Sequence, residues 1–114
     1  MPVELSYEKC RLTAALSGEI DHHQAAFLRE QIDQALAKFQ PPTLVLDFDA
    51  VTFMDSSAVG LVMGRYKMIS AYGGLEVCNL SPSAYRMMRL SGLQALARIE
   101  PKSAQNQEKA GNRV

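Results

Sequence analysis

The chain has 114 residues, enough for one domain around one core, and its 47% hydrophobic and 21% charged residues are the balance of an ordinary soluble globular protein. Its 12 basic and 12 acidic residues cancel to a formal charge of zero, which argues against nucleic acid or an anionic membrane as the default partner. No apolar run approaches the roughly 20 residues of a membrane span, and the N-terminal MPVELSYEKC lacks the basic-then-apolar pattern of a signal peptide. The expectation is a cytoplasmic protein with a single domain over 1–100 and a polar tail or frayed helical turn over 101–114.

In chain order, 3–7 is a short alternating run, Glu8-Lys9 a polar turn, and 10–16 a half-buried strand with Cys10, Leu12, Ala14 and Leu16 on one side. Together they predict a hairpin. Cys10 and Cys78 have no metal-binding or redox spacing. Both are expected as free, small hydrophobes on the inner faces of strands, with no disulfide between them. Ser17-Gly18-Glu19 reads as a strand break. Asp21 is a good N-cap, because its carboxylate can accept from the first free backbone N–H groups of a helix. From His22 to Phe39 the apolar positions Ala25, Leu28, Ile32, Ala35, Leu36 and Phe39 recur at helical spacing, and Pro41-Pro42 ends the pattern.

The run 43–48 (TLVLDF) predicts a central strand, and 49–55 its connection to a second helix over 56–72. That helix carries apolar residues at Val59, Val62, Met63, Tyr66 and Ile69. Gly73-Gly74 suits a left-handed C-terminal cap. Next come a strand over 75–80 and a third helix capped by Ser81 with Pro82 at its first position. The buried side of that helix is expected to carry Tyr85, Met88 and either Met87 or Leu90. Ser91-Gly92 closes it, and a short last strand is predicted over 96–99. The order β-β-α-β-α-β-α-β implies an α/β fold: a mixed, largely parallel central sheet with helices mainly on one side.

Three constellations could carry chemistry. Asp21-His22-His23 combines a carboxylate with two imidazoles, but adjacent helical residues point about 100° apart and no further His exists to complete a metal site. The competing readings are a capped helix start with exposed rings, or a recognition loop of Glu19, Asp21 and His22. Asp55-Ser56-Ser57 stands at the start of the second helix, where a serine is ordinarily a cap. It is not the G-x-S-x-G elbow of a nucleophilic serine, and no oriented base can be named for it. Gly60 and Gly64 each cost about 1 kcal/mol against Ala in a helix interior. Either the helix packs closely on its sheet there, or it offers a partner a flat surface; the spacing leaves both open.

LSGEIDHHQA (16–25), FMDSSAVGLVMGRYK (53–67), GGLEVCNLSP (73–82) and RLSGL (89–93) together resemble the STAS-domain anti-anti-sigma factors, the anti-sigma F factor antagonists of spore-forming bacteria among them. The resemblance covers 3–100 and implies a STAS fold. It also implies a regulator of transcription and sporulation rather than an enzyme, with no cofactor and no metal. Such a protein binds an anti-sigma factor that is also a serine kinase of the GHKL type, and so releases a sigma factor. The kinase phosphorylates the serine matching Ser56, and a PP2C-type phosphatase reverses it. The partner-binding residues carried over are Glu19, Asp21, His22, Asp55, Ser57, Ala58, Gly60 and Gly64, with no direct contact to nucleic acid or membrane. The family's D-S-S-G or D-S-T-G reads D-S-S-A here, so Ala58 is expected to place a methyl on the docking face. The alternative from the same fold is an accessory subunit of a lipid or solute transporter.

Overall fold

The computed structural model describes residues 2–103, and the expected tail lies outside the described residues beyond Ser103. β1 (Val3–Glu8) and β2 (Arg11–Ile20) form the predicted hairpin. Glu8 pairs with Arg11, so the turn is Lys9-Cys10, with φ of 51° and 66°. Positive φ at both central residues marks a type I′ turn, whose twist matches the flanking strands. Cys10 therefore sits exposed at the tip, not on an inner strand face as expected.

α1 (His22–Phe39) starts at Asp21, whose Oδ1 accepts from Gln24 N at 2.9 Å. Leu28, Ile32, Ala35 and Leu36 form its buried stripe. Phe39 lies outside that stripe and stacks on Tyr7, with ring centroids 4.6 Å apart. The chain leaves α1 through Gln40 in the left-handed region, φ 44°, and two prolines carry it into β3 (Thr43–Met54). α2 (Ser57–Ile69) buries Ala58, Leu61, Val62, Arg65 and Ile69. Of the expected stripe, Val62 and Ile69 are buried as predicted, while Val59, Met63 and Tyr66 are only partly buried and Leu61 and Arg65 take the inner positions, because α2 packs on the sheet and on α1 at once.

Gly73 has no left-handed φ. A Cβ there would meet the Pro42 carbonyl oxygen at 2.3 Å, and Gly74 N donates to that oxygen at 2.9 Å. The glycine thus serves a close backbone approach rather than a left-handed cap. β4 (Gly74–Leu80) leads to α3 (Pro82–Leu90), where Ser81 Oγ accepts from Ala84 N at 3.2 Å. α3 buries Ala84 and Met88, while Leu90 is 84% exposed. A 3₁₀ turn (Leu93–Ala95) then precedes β5 (Arg98–Pro101), so the last strand begins two residues later than predicted.

The five strands lie in the order β1-β2-β3-β4-β5, with only the first pair antiparallel. Each parallel step moves the same way across the sheet, and right-handed crossovers in one direction put all three helices on one face. Alternation along β2 agrees: Leu12, Ala14 and Leu16 are buried beneath the helices, while Arg11, Thr13 and Ala15 on the opposite face are not. On that opposite face Arg11 Nη2 meets Glu76 Oε1 at 2.7 Å.

Both central strands run further than expected. β2 continues through Ser17-Gly18-Glu19 to Ile20, and β3 continues to Met54. Gly18, at φ 79°, adopts a conformation that lets the strand bend without ending. β4 pairs with β3 only as far as Asp47–Cys78. Residues 17–20 and 50–54 therefore form a two-stranded ribbon that overhangs the sheet at the C-terminal ends of its parallel strands.

Candidate functional site: the ribbon tip and the start of α2

The ribbon brings two helix starts together. Asp55 N donates to Ile20 O at 3.2 Å, the last rung before the two chains separate into α1 and α2. Asp21 and Asp55 thus occupy corresponding places, each directly after a ribbon strand and each accepting from a helix-start N–H.

At α2 the capping role falls to Asp55, not Ser56. Asp55 Oδ1 accepts from Ser57 N at 2.8 Å. Ser56 itself has helical backbone angles, φ −65° and ψ −13°, and makes no side-chain cap bond. A capping side chain needs an extended backbone to turn back onto the helix start, so the helical geometry of Ser56 turns its hydroxyl away. Ser56 is exposed, Asp55 and Ser57 half-buried. The outcome is a solvent-facing hydroxyl with no structural duty, one residue from a carboxylate and at the positive end of a helix dipole.

Among the other expected site residues, Glu19, Asp21 and His22 are exposed at the ribbon tip and the first turn of α1. The His22 and His23 rings lie 6.0 Å apart at 62°, edge to face. Gly60 is exposed and Gly64 half-buried, and a Cβ on either would meet no atom within 4 Å. That decides between the two readings of the glycine pair: α2 does not use them to approach its sheet. Ala58 is a correction. Its side chain is 0% exposed and belongs to the core, because the first turn of α2 rotates that position inward. Its methyl does not reach the docking face.

A cleft of about 420 Å³ runs between α1 and α2, with His22, Ser57, Gly60 and Gly64 along it. Arg65 forms part of its floor and is 4% exposed. Its Nε lies 2.9 Å from Asp33 Oδ1, an ion pair by distance whose atoms do not align as a hydrogen bond. Burial pushes the Asp33 carboxyl above its usual range and the Arg65 guanidinium below its own; their mutual attraction opposes both shifts without cancelling them.

The STAS domain family matches residues 7–106. The chain is a STAS-domain protein. It is 38% identical over 94 residues to an anti-sigma F factor antagonist of Paenibacillus polymyxa, which covers 82% of this chain and 80% of that one. It is similar to the structure of the anti-sigma factor antagonist SpoIIAA in its unphosphorylated form, with a TM-score of 0.75, 28% identity and 98% of each chain covered. It is also similar to the phosphorylated form of the Bacillus cell fate determinant SpoIIAA, with a TM-score of 0.69, 28% identity, and 95% and 98% covered. Like these, the STAS domain described here is a mixed sheet with alternating strands and helices. Among its described residues no helix is long and apolar enough to cross a membrane.

Three residues beside the site of this STAS domain were not legible as such. Phe53, 57% exposed, stands on the ribbon two residues before Asp55. β3 spends 12 residues where β2 spends 10, and each extra residue resets the alternation, so a period of two cannot say which way Phe53 faces. Arg29 and Arg65 line the cleft. The four-residue spacing of Gly60 and Gly64 was the one available signal that an open strip lay there.

Proposed function

We propose that this chain is a cytoplasmic anti-sigma factor antagonist, a regulator without turnover of its own. Unmodified, it binds an anti-sigma factor that is also a GHKL-type serine kinase and so releases a sigma factor. The docking surface is the ribbon tip and first turns of α1 and α2: Glu19, Asp21, His22, Asp55, Ser57, Gly60 and Gly64. Ser56 is the phosphoacceptor, and a PP2C-type phosphatase restores it.

The observation that carries this reading is the exposed, uncommitted hydroxyl of Ser56 beside a helix already capped by Asp55. A kinase can reach it, and modification removes no bond of the fold. A phosphoserine carries about −1.5 to −2 charge. The α2 N-terminus favours that charge, so the domain accommodates it. An acidic group of the partner about 4 Å away would oppose each unit of charge by ~4 kcal/mol at an effective dielectric of ~20. That is close to a thousandfold in affinity, so the switch acts on binding and leaves the fold intact.

The test is incubation with the cognate kinase and ATP, then mass spectrometry of the peptide 54–65. Phosphate is expected on Ser56 alone, with none on Ser56→Ala. Ser56→Asp is expected to lose partner binding at an unchanged thermal midpoint. Phosphate on Ser57 in the Ser56→Ala protein, or recovery of a transporter ATPase in place of the kinase, would sink the assignment.

A further inference from the structure

α3 and the end of β5 form a groove of about 510 Å³ that shares no residue with the proposed docking surface. Leu80, Tyr85 and Pro101 make it apolar inside. Lys102 N donates to Leu80 O at 2.8 Å, which fixes the end of β5 as one wall. Leu90, on the α3 wall, is 84% exposed, more than any other large apolar residue among those described.

The charge of the groove has one sign. Arg86, Arg89 and Lys102 line it and no carboxylate does. Between Glu76 and Glu100 the sequence holds three arginines and no acidic residue. The carboxylates at this end of the sheet are engaged. Asp49 neutralises Lys102 at 3.6 Å, Glu100 lies 2.6 Å from Arg98, and Asp47 accepts from Asn79 Nδ2 at 2.9 Å. The uncompensated charge is therefore that of Arg86 and Arg89. Both are exposed, and among the described residues neither is in an ion pair. Arg89 overlies the Tyr85 ring, its Cζ 5.9 Å from the centroid. A guanidinium over an aromatic face keeps N–H donors for a carboxylate, which it can meet in a planar, two-pronged fashion.

We propose that this groove seats an acidic segment of a partner protein, with an apolar side chain against Leu80 and Tyr85 and flanking carboxylates on Arg86 and Arg89. Charge complementarity selects the acidic segment. The apolar interior and Leu90 select a protein segment over a free anion, which has no apolar surface to bury there. The concave shape suits a protruding side chain better than the flat face of a bilayer. α3 turns Ser83 and Met87 towards the ribbon residue Phe53, and Tyr85, Arg86 and Arg89 into the groove. The groove thus stays open while another protein covers Ser56, and its binding is independent of the proposed function.

The experiment titrates the full chain with two fluorescent peptides, Glu-Glu-Leu-Phe-Glu-Glu and Gln-Gln-Leu-Phe-Gln-Gln, read by anisotropy, and separately with phosphatidylglycerol vesicles, read by sedimentation. The acidic peptide is expected to bind at least tenfold more tightly than the neutral one at low salt, with the difference shrinking at high salt. The double variant Arg86→Glu, Arg89→Glu is expected to lose at least tenfold in affinity for the acidic peptide, and Leu90→Ser to lose severalfold. Ser56→Asp should bind it like wild type. These side chains are exposed, so thermal unfolding should give each variant a midpoint close to that of wild type. Equal binding of the two peptides, no binding at millimolar peptide, or an affinity unmoved by the double charge reversal would overturn the proposal. So would a loss in Ser56→Asp, which would place the peptide on the other surface. Vesicle binding that the charge reversal abolishes, without peptide binding, would make the occupant a membrane and overturn it as well.

Discussion

Two neighbouring substitutions, Asp55→Ala and Ser56→Ala, separate the structural role of one residue from the regulatory role of the next. Asp55→Ala removes the 2.8 Å bond from Ser57 N to the carboxylate and leaves that helix-start N–H half-buried without its partner. Loss of an N-cap of this kind costs about 1 kcal/mol, within a range of roughly 0.5–2. The lost interaction of a carboxylate with the helix dipole adds about 0.3–1 kcal/mol. Together these predict about 1.5 kcal/mol, or roughly 6–12 °C in thermal midpoint for a domain near 100 residues. Ser56→Ala removes a hydroxyl that makes no cap bond. It is expected to change stability by less than about 0.5 kcal/mol, as surface substitutions usually do. Urea unfolding followed by circular dichroism reads both, with the midpoint shifting and the slope unchanged. If Ser56→Ala lost as much stability as Asp55→Ala, the serine would be the true cap, and a free phosphoacceptor would be ruled out.

Two further outcomes follow from burial. Ala58→Gly, the substitution that the resemblance to D-S-S-G suggests, deletes a fully buried methyl and lowers helix propensity. The two effects sum to about 2 kcal/mol, so the thermal midpoint should fall by roughly 10 °C while affinity for the kinase is unchanged in a titration. For the cysteines, burial pushes the Cys78 thiol up to about 11, whereas Cys10 is exposed in the hairpin turn. Iodoacetamide at pH 8 should therefore label Cys10 first, as intact-mass spectrometry would show. Because the folded-state value of Cys78 exceeds the ordinary value of 9.0, its contribution to stability is complete below about pH 9 and lost as pH rises towards 11. Faster labelling of Cys78 than of Cys10 in the folded protein would contradict this burial.

Local chemistry was legible at two helix starts. Asp21 before an apolar stripe, and Ser81-Pro82 before α3, act as their types predict. Features set by a distant segment were not. Ser17-Gly18-Glu19 looks like a break, but β3 pairs alongside it and holds it in the sheet. The phase of α2 depends on two neighbours at once, which draws Leu61 and Arg65 inward and leaves Val59 and Met63 part-way out. Cys10 follows the strand alternation on paper, but a two-residue turn places it at the tip. At the site, the identity of the important serine came from resemblance. That Asp55 frees it from capping, and that Ala58 faces inward, required coordinates.

The overhanging ribbon makes a mechanical statement about how this surface is presented. Its two strands reach past the pairing with β4, and Ile20 and Met54 at their ends anchor the tip in the core beneath it. The rung from Asp55 N to Ile20 O ties the first turn of α1 to the first turn of α2. Ser56 is therefore held beside Asp21 and His22 by one paired arm rather than by two independent loops. Changes along that arm, at Gly18 or Val51 for example, would re-aim the whole contact surface while leaving every contacting side chain in place.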